Sequence, residues 1–129
     1  MSDIERPPLE EPVIRTIAMP ADTNPSGDIF GGWLMSQMDL AGSSAAGRIA
    51  CGRTATVAVD SMTFLRPVKV GDEVSLYARV VSVGRTSLRV SVEAWRRPRL
   101  GEMSKVTQAT FVFVAIGDDG RPRPVDPSP

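Results

Sequence analysis

Histidine is absent from this chain, and cysteine occurs once, as Cys51. The first absence excludes Ser-His-Asp and Cys-His activation of a nucleophile. It also excludes the usual general base near neutral pH and any zinc site that needs an imidazole. The second rules out an internal disulfide and a thiolate metal centre. A lone thiol is compatible with a reducing cytosol. An excess of one charge is missing too: fifteen Lys and Arg balance fifteen Asp and Glu. Nucleic-acid binders usually carry a strong basic excess, so no nucleic-acid partner is expected. No apolar run approaches the length of a bilayer span, and residues 1–12 lack a basic stretch followed by an apolar one. The expectation is therefore no membrane, no secretory leader and a cytoplasmic location.

What remains fits one domain of 129 residues. Residues 1–12 hold three prolines and four acids and read as a disordered N-terminal arm. Residues 13–19 alternate and predict a first strand. Residues 20–28, PADTNPSGD, are a loop of turn formers. From residue 29 to about residue 50 there is no proline. Leu34, Met38, Ala41, Ala45 and Ile49 recur at steps of three and four, which predicts one helix face about 30 Å long. After Gly52 the period becomes two. Strands are predicted at 54–59, 62–65, 73–83, 86–95 and 105–116, with a hairpin turn at Gly84-Arg85. Residues 118–129 read as a closing turn and a flexible tail, leaving 13–117 as the domain. One strand, one long helix, then four or five strands imply an α+β chain. Its antiparallel sheet must be covered on one face by the only helix. A curved sheet wrapped around one central helix meets that demand.

The helix has two unusual features. Its middle reads AGSSAAG, residues 41–47, where small side chains let backbones approach, and close packing is expected at Gly47. Its start carries Gly31-Gly32, where backbone N–H groups lack intrahelical partners and face the positive end of the dipole. Such a place suits a tight loop or a site that stabilises an oxyanion. Asp39 lies mid-helix, where aspartate is poorly favoured. Its neighbours one turn away are Met35 and Gly42-Ser43, so its stripe is not a charged surface. With no histidine in the chain, a carboxylate placed this way is a candidate base. Gly31 and Asp39 stand eight residues apart, about 12 Å along one helix. They cannot flank one reacting atom. Two antiparallel helices from two chains bring Gly31 of one level with Asp39 of the other, which predicts a dimer with two equivalent sites. In the preceding loop Asp28 reads as the N-cap, and Asn24 as a turn residue or a polar contact for a carbonyl or water.

Three segments carry a resemblance to a known family. MPADTNPSGDIFGGWLMSQMD (19–39), VAVDSMTFLRPVKVGDEV (57–74) and VSVGRTSLRVSVEAW (81–95) resemble YciA-type acyl-CoA thioesterases, as does the end of the last strand with DDGRPRPV. The likeness covers roughly residues 13–125. It implies a hotdog fold, a curved antiparallel sheet of about five to six strands around one helix. It implies hydrolysis of fatty acyl-CoA to free acid and CoA, with CoA as part of the substrate and no separate cofactor or metal. It also implies assembly as dimers within a larger oligomer, often a hexamer, as a trimer of dimers. The family's catalytic carboxylate falls on Asp39, its amide-rich helix start on Phe30, Gly31 and Gly32, and its loop asparagine on Asn24. Contacts to CoA are sought at Arg66, Arg85, Thr86 and Ser87, with Arg96 and Arg97 as weaker candidates. Departures are Cys51, where relatives carry histidine, and Ser43-Ser44. The rival from another class is a hotdog module that binds or senses acyl-CoA without turnover.

Overall fold

The computed structural model describes residues 5–125. In chain order it contains β1 (Ile14–Ile17), a 3-10 turn (Pro20–Asp22), α1 (Gly31–Ala50), β2 (Thr54–Val59), β3 (Glu73–Val83), β4 (Ser87–Arg97) and β5 (Ser104–Ala115). The strands form one sheet in the order β1-β3-β4-β5-β2, with every neighbouring pair antiparallel. The segment at 62–65 that reads as a strand is not one. It runs irregularly beside β5, where Leu65 N–H donates to Val106 O at 2.7 Å.

Alternation drives the packing. Leu88, Val90, Val92 and Ala94 of β4 and Phe111, Phe113 and Ala115 of β5 point to the same face and are almost fully buried. Val74 and Leu76 of β3 join them, and α1 lies across this face. Three register shifts, at 56/58, 80/82 and 94/95, interrupt the ladders. Such bulges bend strands and raise their twist, which lets the sheet curl around the helix.

The buried stripe of α1 is Leu34, Met38, Ala41, Gly42, Ala46 and Ala50. The expected stripe continued instead through Ala45 to Ile49, and Ile49 is 50% exposed. Steps of four, 34-38-42-46-50, follow a row inclined to the helix axis rather than a straight face. The contact line with the curled sheet therefore drifts round the helix. Close packing also falls elsewhere than expected. A Cβ on Gly42 would lie 3.0 Å from Phe113 Cζ and 3.2 Å from Val92 Cγ2, whereas one on Gly47 would meet only Gly52 O at 3.5 Å.

The helix ends at Cys51, a non-glycine residue in the left-handed region with φ 54°. Arg123 reinforces this end, donating from Nη2 to Ala50 O at 2.8 Å and from Nε to Ile116 O at 3.3 Å. The described part of the arm, residues 5–12, has no helix or strand. Glu5 pairs with Arg66 at 2.8 Å, and Arg6, Pro8 and Glu10 lie beside Tyr77, Arg79 and Glu93 on the outer face of the sheet.

Candidate active site

The start of α1 opens into a cavity of about 330 Å³. Phe30, Gly31, Leu34, Phe64, Arg66, Val68 and Val106 are among the residues that line it. The loop leading in is tied back on itself. Thr23 bridges to Ile29, and Phe30 N–H donates to Asp22 O at 2.9 Å. The first intrahelical bond runs from Leu34 N–H to Phe30 O. Gly31, Gly32 and Trp33 N–H are thus the orphan donors of this helix. Gly31 and Gly32 are exposed. A Cβ on Gly32 would meet nothing within 4 Å, so the backbone there is open to an approaching group.

Asp28 is not the N-cap. That place belongs to Phe30, with no side-chain cap, and the Asp28 carboxylate pairs with Lys69 instead. A partner 41 residues away has taken the group that local pattern assigned to the helix. Asn24 serves the loop: its Oδ1 accepts N–H from Ser26 at 2.9 Å and from Asp28 at 3.1 Å. It does not line the cavity.

Asp39 is half-buried, and its Oδ1 accepts the Thr56 hydroxyl at 2.6 Å. Thr56 sits on β2 at the register shift, and β2 is an outer edge of the sheet. A β-branched residue in an alternating strand gives no sign of such a role, so Thr56 was not legible in the sequence. Asp39 lies outside the cavity around Gly31, as eight helical residues of separation require. Among the described residues no three His, Cys, Asp or Glu side chains cluster as a metal site would.

The candidate CoA contacts fall into two groups. Phe30 and Arg66 line the cavity, and the Arg66 guanidinium is held by Lys105 O and Glu5. Arg85 and Thr86 occupy the turn between β3 and β4, and Ser87 is the first residue of β4. There Arg85 O accepts Val125 N–H and Thr86 O accepts Ala115 N–H. Ile116, one residue on, donates to Arg53 O just past the C-terminus of α1. This second group therefore sits near the far end of a helix about 30 Å long, out of reach of the same chain's cavity. Arg96 and Arg97 are engaged with Asp72 and Glu73.

An antiparallel sheet curled around one central helix is the hotdog architecture. The sequence pattern of the thioesterase superfamily matches residues 26–102. The acyl-CoA thioester hydrolase YciA of Salmonella typhimurium is 52% identical over 97% of both chains. A hexameric thioesterase from Yersinia pestis superimposes with a TM-score of 0.88 at 52% identity, covering 95% of this chain and 99% of that one. A hexameric hotdog fold thioesterase of Campylobacter jejuni gives 0.85 at 41% identity, covering 89% and 90%. The chain belongs to the thioesterase superfamily and, within it, to the YciA-type acyl-CoA thioester hydrolases. No helix among the described residues is long and apolar enough to cross a membrane.

Proposed function

We propose that this chain hydrolyses fatty acyl-CoA to free fatty acid and CoA at sites shared between two subunits. Gly31 and Gly32 N–H of one subunit polarise the thioester carbonyl, and Asp39 of the other supplies the carboxylate. The observation that carries this reading is a mismatch within one chain. The open donors and the carboxylate are about 12 Å apart along one rigid helix, so neither completes a site alone. A two-fold axis with antiparallel helices completes two at once.

The surface around Asp39 supports such a pairing. Leu40, Val57 and Val59 are exposed apolar residues on α1 and on the unpaired edge strand β2. An unpaired edge is a template for a second strand. A second contact of a different kind builds three dimers into a hexamer, the state in which the Yersinia and Campylobacter relatives are described.

In the reaction the carbonyl oxygen gains negative charge, and donors already aimed at it need no reorganisation. Asp39 takes a proton from water as the water oxygen bonds to the carbonyl carbon. The C–S bond then breaks, and the CoA thiolate leaves and is protonated. Direct attack by Asp39 through an anhydride gives the same products. Thr56 holds one carboxylate oxygen and leaves the other for the proton or the carbon. Phe30 and Arg66 lie where the arm of CoA enters, and Asn24 fixes the loop that presents the glycines. The scheme uses no metal or cofactor. The cytoplasm is the compartment we assign, on the unpaired Cys51.

Thiol release from a series of acyl-CoA esters, native against Asp39→Ala, tests this. Native turnover is expected. Loss of a general base costs about 10²- to 10⁴-fold in kcat, with the variant still folded. Binding of acyl-CoA without thiol release at any chain length would instead make the chain a binding module. Equal activity of the two proteins would remove Asp39 from the mechanism.

A further inference from the structure

The cavity at the start of α1 is poorly matched to the product of its reaction. Among the described residues that line it, Arg66 alone carries a charge, in the company of Phe30, Leu34, Phe64 and Val106. Gly31 lines it too, so a carbonyl polarised there shares the cavity with the guanidinium. The thioester of the substrate is neutral, whereas hydrolysis leaves a carboxylate. A guanidinium facing apolar walls grips a carboxylate with two parallel bonds. An unpaired Arg66 would therefore hold the product better than the substrate. Glu5 prevents this. Its Oε1 lies 2.8 Å from Arg66 Nη2, and its Oε2 accepts from Nη1 at 3.2 Å, so both terminal nitrogens face one carboxylate.

Glu5 reaches this rim along a built path. Val13 N–H donates to Leu76 O at 2.8 Å, which ties the end of the arm to β3. Across the outer face of the sheet, Arg6, Pro8 and Glu10 share a groove with Tyr77 and Glu93. Tyr77 and Trp95 are buried yet stand apart from the core under α1, and Trp95 Nε1 donates to Glu93 Oε1 at 2.9 Å. Lys105 of β5 pairs with Glu93 through its side chain, and its main-chain carbonyl accepts Arg66 Nη1. From β1 across β3 and β4 to β5 is three strand gaps, about 14 Å. The chain from Glu5 to Val13 spans up to about 26 Å when extended, so the arm is long enough to cross the sheet and reach Arg66.

We propose that Glu5, carried to the rim by the N-terminal arm, is a positioning residue that neutralises Arg66 and so lets the cavity release the fatty acid it makes. The inference rests on the hydrolase reading above and adds a residue and a property, weak affinity for the carboxylate product. Glu5→Gln keeps the shape of the side chain and an oxygen for the guanidinium, and removes the charge. With octanoyl-CoA as substrate, octanoate is expected to inhibit Glu5→Gln about fivefold more strongly than the native protein. The factor is modest because the pair is partly exposed, at 36% for Arg66 and 33% for Glu5. Octanamide, neutral and of the same length, should inhibit both proteins equally. Adding Arg66→Gln to Glu5→Gln should abolish the gain. Unchanged inhibition by octanoate in Glu5→Gln overturns the proposal. An equal gain for octanamide also overturns it, since the cavity would then have been reshaped rather than recharged. So does a gain that survives the loss of Arg66. Calorimetric titration with octanoate reads the same difference without turnover. A native protein that hydrolyses no acyl-CoA thus counts against the hydrolase, and the titration still decides whether Glu5 masks Arg66.

Discussion

Replacing Thr56 by valine isolates one contact of the proposed mechanism. Valine has nearly the shape of threonine and suits a β-strand at least as well, so β2 keeps its fold. What is lost is the hydroxyl that donates to Asp39 Oδ1 at 2.6 Å. A hydrogen bond to a charged group contributes about 1.5–3 kcal/mol when shielded from water. In the single chain Thr56 is exposed and Asp39 half-buried, which places the effect at the low end of that range or below it. About 1.4 kcal/mol in the barrier corresponds to a tenfold fall in kcat. Burial of the edge strand against a second copy moves the effect upward. Stability is expected to change by less than about 0.5 kcal/mol, because the site is on the surface of the folded chain. Thiol release under saturating acyl-CoA measures kcat, and a urea titration measures stability. An unchanged kcat would refute the idea that Thr56 fixes the reacting carboxylate. A fall in kcat matched by a loss of fold would show that the hydroxyl serves β2 instead.

Other residues give separable outcomes. Gly42→Val puts a branched side chain where even a Cβ would be 3.0 Å from Phe113, and should cost at least about 2 kcal/mol in a denaturant titration. Arg123→Met removes the donors to Ala50 O and Ile116 O while keeping the side chain's bulk. It should lose about 1–3 kcal/mol in the same assay, from carbonyls left without this donor at the end of α1 and just past β5. Gly31→Ala meets only ordinary contact, Phe64 Cζ at 3.5 Å, so stability should stay within about 0.5 kcal/mol. Its added methyl group stands where the carbonyl oxygen must approach, so kcat/KM should fall while the melting temperature does not. A native kcat/KM in Gly31→Ala would move the oxyanion contact away from this residue.

The parts of the fold that sequence could supply are those specified within a few residues. Glu73–Val83 and Thr54–Val59 emerge with their expected bounds because alternation is bracketed by glycine, arginine or aspartate at each end. Ser104–Ala115 is within one residue at each end, its alternation running out just before Gly117. The helix begins two residues later than its pattern suggests, since Ile29 pairs with Thr23 and Phe30 bonds to Asp22. What local pattern could not supply are the features set by distant partners. Lys69 draws Asp28 away from the helix cap. The curl of the sheet carries the buried stripe from Ala45 and Ile49 to Ala46 and Ala50. Thr56 reaches Asp39 across 17 residues with no motif to announce it.

The candidate site divides along the same line. Asp39 and Gly31 are each conspicuous in sequence because each breaks a local rule: an acid inside a helix, glycines at its start. Their relation is also arithmetic from sequence, since helix rise alone keeps them apart. The candidate CoA residues obey no such rule. Arg66, Arg85, Thr86 and Ser87 form a single class when read along the chain, yet α1 holds Arg66 at one end and the other three near the opposite end. Under the proposed pairing of two antiparallel helices, one long ligand meets both groups, which no single chain allows.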